Sequence, residues 1–228
     1  MSKSLIEPRV LKGFRDTMPD LAIQRNAIIA HLTKTYASFG FLPIDTPALE
    51  YAEILTGNGS EETDKQMYRF LDQGDRDVAL RFDLTVPFAR FSAMNINTLG
   101  TPFKRYHIAP VWRAEKPQRG RFREFIQCDF DCIGTESMVS DAEVLSIVHQ
   151  ALVGLSVEHI IRINNRKILN GFYQKINCAD RTVEILRVID KLDKQGVDAV
   201  KAELANDLSL ASDNIDKILE FVSISKQE

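Results

Sequence analysis

Two stretches of this chain, Lys104 to Arg113 and Glu124 to Ile133, read as strands, and a polar loop, AEKPQRGRFR, with one proline and one glycine, joins them. A link of that length favours antiparallel pairing, so the centre of the chain is a long hairpin. Side chains two apart on a strand share a face. The second strand therefore carries Ile126, Cys128, Phe130 and Cys132 on one side, and Phe125, Gln127, Asp129, Asp131 and Ile133 on the other. The first side suits a core. The second presents a polar row, which is costly to bury unless a cationic or hydrogen-bonding group meets it. A ligand ammonium group would satisfy the row, and so would water; the strand by itself does not separate the two.

The same hairpin concentrates positive charge, with Lys104, Arg105, Arg113, Lys116, Arg119, Arg121 and Arg123 close together in a chain whose formal net charge is -3. That balance argues against coating nucleic acid by bulk electrostatics and leaves room for a local basic patch. A run of charge is commonly a solvated face. It also suits phosphate. Arg113 ends its strand where it can project to the side of the polar row, and its planar fork of donors fits a phosphate better than a lysine would. Arginines converging on one cleft are what a triphosphate needs while its α-phosphorus is attacked in line. Glu115 could accept from an adenine amino group.

Around the hairpin, Asp20 to Phe39 reads as a helix, with Leu21, Ile28, Leu32, Tyr36 and Phe39 on one stripe, Pro19 and Asp20 at its start and Gly40 at its stop. FLPIDTPALEY follows as a strand, and Pro43 and Pro47 confine it to an edge or an interface. Gly57 to Glu62 is rich in turn formers, and MYRFLDQGDRDVALRF reads as a shorter hairpin with its loop at Asp72 to Asp77. A helix is expected over Leu84 to Met94, with Pro87 tolerated in its first turn. Ser140 and Glu143 form a capping-box pattern ahead of a helix running to about Val153, and Val157 to Ile163 returns as a strand. After Tyr173 glycine and proline nearly vanish, and helix-period segments near Arg181 to Lys191, Asp198 to Asp207 and Ala211 to Val222 mark a small helical module from Gln174. The fold class is therefore α+β: an antiparallel sheet flanked by helices over residues 1–173, and a helical module over 174–228. No internal repeat is evident.

The chain's 228 residues, 44% hydrophobic and 27% charged, are ample for one buried core with a second small unit. MSKSLIEPRV has no apolar leader region and no apolar run reaches membrane-spanning length, so a soluble, cytoplasmic protein without membrane association is expected. Cys128, Cys132 and Cys178 are too few and too irregular for a disulfide framework. Cys128 and Cys132 share a strand face with Phe130 and read as core thiols, so no metal ligands are assigned. His107 receives no role, and His31, His149 and His159 have no partners visible in the sequence. GNGSEE, with Gly57 and Gly59, lacks the lysine and the strand-to-helix context of a phosphate loop.

Arg113, Glu115, the loop ending at Arg121, Phe125, Gln127 and Asp131 resemble motif 2 of the class II aminoacyl-tRNA synthetases in its histidyl form. RAEKPQRGRFREF is long and loop-internal, which makes chance a poor explanation. The resemblance extends along most of the chain. KGFRD, from Lys12 to Asp16, resembles the family's amino-terminal signature, and the helix and strand around Pro47 resemble motif 1, which builds a dimer interface. RFDLTVPFARF, from Arg81 to Phe91, resembles a segment that helps hold the amino-acid substrate, and RINNRKIL, from Arg162, resembles the strand before an insertion domain.

The resemblance implies the incomplete catalytic core of a histidine–tRNA ligase, with residues 174–228 as a helical insertion domain. It makes Arg113 the catalytic residue and α-phosphate ligand, Glu115 an adenine contact and Arg121 a contact to the outer phosphates. Asp83, Thr85, Gln127 and Asp131 would hold the α-amino end of histidine, which agrees with the polar row. ATP and Mg2+ are the implied cofactors, and histidine, ATP, tRNA(His) and a second copy of the chain the implied partners. Histidyl-adenylate would form first and then acylate the terminal ribose of the tRNA; because the attacking carboxylate is already ionised, positioning and charge stabilisation suffice.

The family's motif 3, its tyrosine-bearing motif and its anticodon-binding domain have no counterpart before Glu228. An amino-terminal fragment is therefore expected, one that binds ATP or histidine weakly and does not aminoacylate tRNA at a useful rate. The alternative is a synthetase-like regulatory subunit of histidine biosynthesis, against which the intact EKPQRGRFREF loop weighs. A class II synthetase for another amino acid is disfavoured by RFDLT and the Gln127 to Asp131 row.

Overall fold

The structure is a computed structural model and describes residues 6–57 and 66–224. The start of the chain, MSKSL, and the turn-rich stretch beyond Gly57 as far as Glu62 lie outside the described residues. The chain folds as two units, Met1–Ile161 and Arg162–Glu228.

The first unit opens its regular structure with α1, Pro19–Ser38, where proline stands in the first turn and Asp20 meets the positive end of the helix dipole. Past Gly40 the proline-bearing stretch makes two short strands, β1 (Leu42–Pro43) and β2 (Leu49–Tyr51), where the sequence reads as one. The division has a local cause: Pro47, which cannot donate to a ladder, lies in the unpaired stretch between Pro43, the last paired residue of β1, and Leu49, the first of β2. Both pieces are edge strands, as the prolines require. Helix α2 (Ala52–Thr56) follows, then the hairpin of β3 (Arg69–Leu71) and β4 (Asp77–Leu80), helix α3 (Thr85–Leu99), the long hairpin of β5 (Phe103–Trp112) and β6 (Glu124–Ile133), and helix α4 (Met138–Gly154).

These strands form two three-stranded sheets, in the orders β1-β5-β6 and β2-β4-β3. Every pairing is antiparallel except that of β1 with β5, which sets Leu42 beside Arg105 and Pro43 beside Tyr106. In the long hairpin Phe103 pairs with Ile133 and Trp112 with Glu124, so Arg105 lies opposite Asp131, His107 opposite Asp129 and Ala109 opposite Gln127. The two faces of this sheet have different covers. Tyr106, Ile108 and Phe130 point into a cluster with Tyr36, Phe41 and Ile147, which is the core face read from alternation. On the other face, Ala109 and Val111 are buried with Leu84, and Phe125 packs beside them. The α+β class stands: small, largely antiparallel sheets flanked by helices.

Three local expectations change. Helix α3 continues five residues past Met94, to Leu99. Helix α4 begins at Met138, because Ser137 Oγ accepts from Val139 N at 3.3 Å and so caps the helix ahead of the Ser140/Glu143 pattern. Val157 to Ile163 is not a strand, and neither is the start of RINNRKIL: among the described residues no strand pairs with either, and from Arg166 the chain is helical.

The second unit comprises α5 (Arg166–Lys175), a 3-10 turn at Ala179–Arg181, α6 (Thr182–Ile189), α7 (Leu192–Gln195), α8 (Val197–Asn206) and α9 (Ser212–Ile224). Its own core contains Tyr173, Cys178, Ile185, Val200, Leu204 and Ile218. Because Tyr173 is fully buried in that core, α5 belongs to the helical unit, and the boundary between the units falls before the change of texture at 173/174. No helix of the described residues is long and apolar enough to cross a membrane.

Candidate active site

The loop between β5 and β6 is closed at its base and folded at its tip. Arg113 N donates to Arg123 O at 2.9 Å, which continues the ladder just past β5. At the tip, Gln118 and Arg121 exchange backbone hydrogen bonds of 3.2 and 2.9 Å around Gly120, whose φ of 79° suits the third position of a type II turn. Arg123 ties the loop to the KGFRD segment. Its Nε donates to Glu115 O at 3.0 Å, its Nη1 to Lys12 O at 3.3 Å, and its backbone N to Gly13 O at 2.8 Å. Arg15 lies over the Phe122 ring at 4.0 Å.

A cavity of about 300 Å³ is lined by Arg113, Glu115, Gly120, Arg121, Phe122 and Phe125. The three residues singled out for ATP therefore share one cleft. Arg113 is held between two rings, 4.4 Å from the centre of Phe82 and 5.0 Å from that of Phe125, and its Nε donates to Phe82 O at 3.3 Å. The two ring contacts and the Nε hydrogen bond together restrict the guanidinium and so the direction of its remaining donors. Arg121 and Glu115 face each other as a two-point pair, Nε to Oε2 at 2.6 Å and Nη2 to Oε1 at 3.1 Å. The arginine is the exposed partner and the carboxylate the sheltered one.

Phe82 leads directly into the other group. Asp83 Oδ1 accepts from Val86 N at 2.9 Å and caps the start of α3, while Thr85 Oγ1 donates to Asp129 Oδ2 at 3.3 Å. Gln127 Nε2 donates to Asp129 Oδ1 at 2.8 Å. Arg105, with no exposed side-chain surface, forms ion pairs with Asp129 and Asp131 and lies 4.3 Å from the Phe88 ring centre. The structure thus brings Thr85, Gln127 and Asp131 to one face, with Asp129 and Arg105 between them, and sets Asp83 at the helix start beside it. Burial pushes the Asp131 carboxyl above the usual range; Arg105 opposes that shift, and the carboxylates of Asp129 and Asp83 add to it.

Arg105 and Asp129 receive no site role from the sequence, although Asp129 is read there in the polar row and Arg105 in the basic run. By charge alone Arg105 groups with the loop cations, although it is buried; the signal is available in the hairpin register, which sets it opposite Asp131. Arg123 likewise reads as one of a charge run, and its bonds to the Lys12 and Glu115 carbonyls cannot be inferred without the fold. His107 is buried with Nε2 3.0 Å from Asp45 Oδ1, and burial, ahead of nearby Arg81, depresses its affinity for a proton. Cys128 and Cys132 are half-buried and Cys178 is buried. Among the described residues no three His, Cys, Asp or Glu side chains gather as a metal cage.

A family model described as Histidyl-tRNA synthetase matches residues 13–227. The chain is 51% identical to a histidine–tRNA ligase of Rhodopirellula baltica over 218 residues, which is 95% of this chain and 49% of that protein. With one from Wolinella succinogenes it shares 50% identity over 227 residues, 99% of this chain and 51% of the other. Among solved structures, the histidyl-tRNA synthetase from Nostoc sp. PCC 7120 superposes with a TM-score of 0.84 at 33% identity, covering 96% of this chain and 49% of that one. A Bacillus halodurans protein described as an ATP phosphoribosyltransferase regulatory subunit/histidyl-tRNA synthetase gives a TM-score of 0.58 at 31% identity over 67% of this chain and 39% of its own. The chain thus spans about half the length of the curated relatives it matches.

Proposed function

The chain belongs to the histidyl-tRNA synthetase family, and on that premise we propose that its central hairpin forms the ATP- and histidine-facing part of a histidine–tRNA ligase active site. The observation that carries this reading is the shared cleft of Arg113, Glu115 and Arg121, joined through Phe82 and Asp83 to the face bearing Thr85, Gln127 and Asp131. Two charged ends need two different surroundings, and this hairpin supplies a cationic one and an anionic one.

In the proposed reaction Arg113 holds the α-phosphate while a histidine carboxylate oxygen attacks phosphorus and pyrophosphate leaves. Its two ring contacts and its bond to the Phe82 carbonyl keep the fork aimed without reorganisation during the step. Glu115 meets the adenine amino group and Arg121 the outer phosphates. Since these two side chains now hold each other, ATP must take both partners from an existing pair. Asp83, Thr85, Gln127 and Asp131 receive the ammonium group, with Asp129 and Arg105 fixing the row's geometry. Mg2+ would arrive with the triphosphate, as is usual for an ion held by phosphates and one or two carboxylates. A ribose hydroxyl of tRNA(His) then attacks the activated carbonyl and releases AMP. We assign the helical unit, which takes in residues 174–228 together with α5, to the insertion domain, and a cytoplasmic location follows from the role.

Equilibrium binding of ATP and of histidine to the chain tests the assignment. Arg113→Ala should weaken ATP by at least about tenfold and leave histidine unchanged, and Asp131→Asn should do the reverse, each lost charge-assisted bond being worth roughly 1.5–3 kcal/mol. Equal effects of both variants on both ligands would sink the division of roles. Histidine-dependent pyrophosphate exchange separates this reading from the regulatory one, which the likeness to the Bacillus halodurans protein keeps in play: a regulator binds without exchange even when its chain is extended to the relatives' full length.

A further inference from the structure

His149 and His159 lie away from the hairpin. His149 stands near the end of α4, beyond which the chain turns back on itself: Ser156 has a φ of 56°, Ser156 N donates to Val153 O and Val157 N to Leu152 O, both at 2.9 Å. The turn returns His159 to the helix, where His149 Nδ1 and His159 Nε2 stand 3.0 Å apart. The other nitrogen of His159, Nδ1, is 2.8 Å from Val157 O. A carbonyl oxygen only accepts, so Nδ1 carries the proton and Nε2 presents its lone pair. Backbone contacts of this kind fix the tautomer of metal-bound histidines.

We propose that His149 and His159 form a bidentate imidazole site for a divalent transition-metal ion of the Ni2+ or Cu2+ type. The two ring nitrogens, 3.0 Å apart in the hydrogen-bonded pair, lie within the span that two metal–nitrogen bonds of about 2.0–2.1 Å can bridge. Neutral imidazole nitrogen is a ligand that suits both Ni2+ and Cu2+. Coordination replaces the hydrogen bond between the rings: the Nδ1 proton of His149 passes to its Nε2, Nδ1 turns its freed lone pair to the ion, and both imidazoles stay neutral. No redox step is involved. The exposed His149 ring can make this rotation, and solvent completes the coordination, since among the described residues no group of three ligating side chains forms here. The bound ion would staple the turn at 155–159 to α4.

Titrating the chain with Ni2+ in a non-coordinating buffer, with the heat of binding as the readout, tests the site. One ion per chain is expected, with a dissociation constant below about 1 mM, and His149→Ala and His159→Ala should each weaken it at least about tenfold. Because Ni2+ is paramagnetic, the imidazole resonances of both residues in the unaltered chain should broaden together at substoichiometric ion. Unchanged affinity in either variant, or broadening elsewhere with both rings unaffected, would overturn the site.

Discussion

Arg105 and Arg113 belong to the same basic stretch of sequence, yet they meet opposite surroundings. Arg113 is half-buried between two rings at the mouth of a cleft; Arg105 is enclosed, with Asp129 and Asp131 as its counter-charges. Removing the enclosed cation would leave two partly sheltered carboxylates side by side, Asp129 with 17% and Asp131 with 36% of its side-chain surface exposed. Arg105→Met is therefore expected to destabilise the chain at neutral pH, by less than the roughly 3–5 kcal/mol of a fully buried broken pair, since water still reaches both carboxylates. The pH dependence has a definite sign. Burial already raises the Asp131 carboxyl above its ordinary range, so the folded state holds that proton more tightly than the unfolded state. The associated stability is present below the unfolded value and is lost as pH rises through the folded one. Without Arg105, which opposes the shift, that window extends upward. Urea unfolding at pH 7 and pH 5 should show the variant regaining part of its deficit on acidification. An equal deficit at both values would rule out carboxylate repulsion as the cause.

Among the elements, the long hairpin depends on the KGFRD segment ahead of α1. Gly13 has a φ of 89°, and a Cβ there would stand 2.7 Å from Arg123 Cδ and 2.9 Å from its Cγ. Gly13→Ala is expected to destabilise the chain by about 1–3 kcal/mol, through an unfavourable backbone conformation and displacement of Arg123 from the Lys12 and Glu115 carbonyls. Thermal unfolding measures the loss, and an unchanged midpoint would mean that this contact does not brace the loop. Periodicity made the major elements legible: α1, β5 and β6 lie within a residue or so of their expected spans. The expected strand at 157–163 failed because strand character in a short apolar run is realised only if a partner edge is at hand, which the run itself cannot reveal.

At the scale of the molecule, the two units have separate cores. Leu204 is fully buried in the helical unit, and Leu204→Ala should cost about 2–5 kcal/mol there. Hydrogen exchange is the suitable measurement. Protection should fall across α5 to α9 and persist in β5 and β6, whereas a uniform loss would show that the units unfold as one. The first unit also leaves apolar surface uncovered on α1 and β2, with Leu21 57%, Ile28 45% and Tyr51 47% exposed. We propose that this surface serves the homodimer that the resemblance to motif 1 implies around Pro47, and a strictly monomeric mass at micromolar concentration would count against it.

The alternation along Glu124 to Ile133 determined, from residues alone, that Gln127, Asp129 and Asp131 share a side and that Phe130 points to the core; period two permits no other assignment once the strand exists. The same residues left open whether the polar side was wet. Only tertiary structure decided that, by closing the hairpin in a register that sets buried Arg105 across from Asp131 and by bringing Thr85, distant in sequence, against Asp129. Local periodicity records which way a side chain faces. What it faces depends on segments far along the chain, and that is settled when they pack.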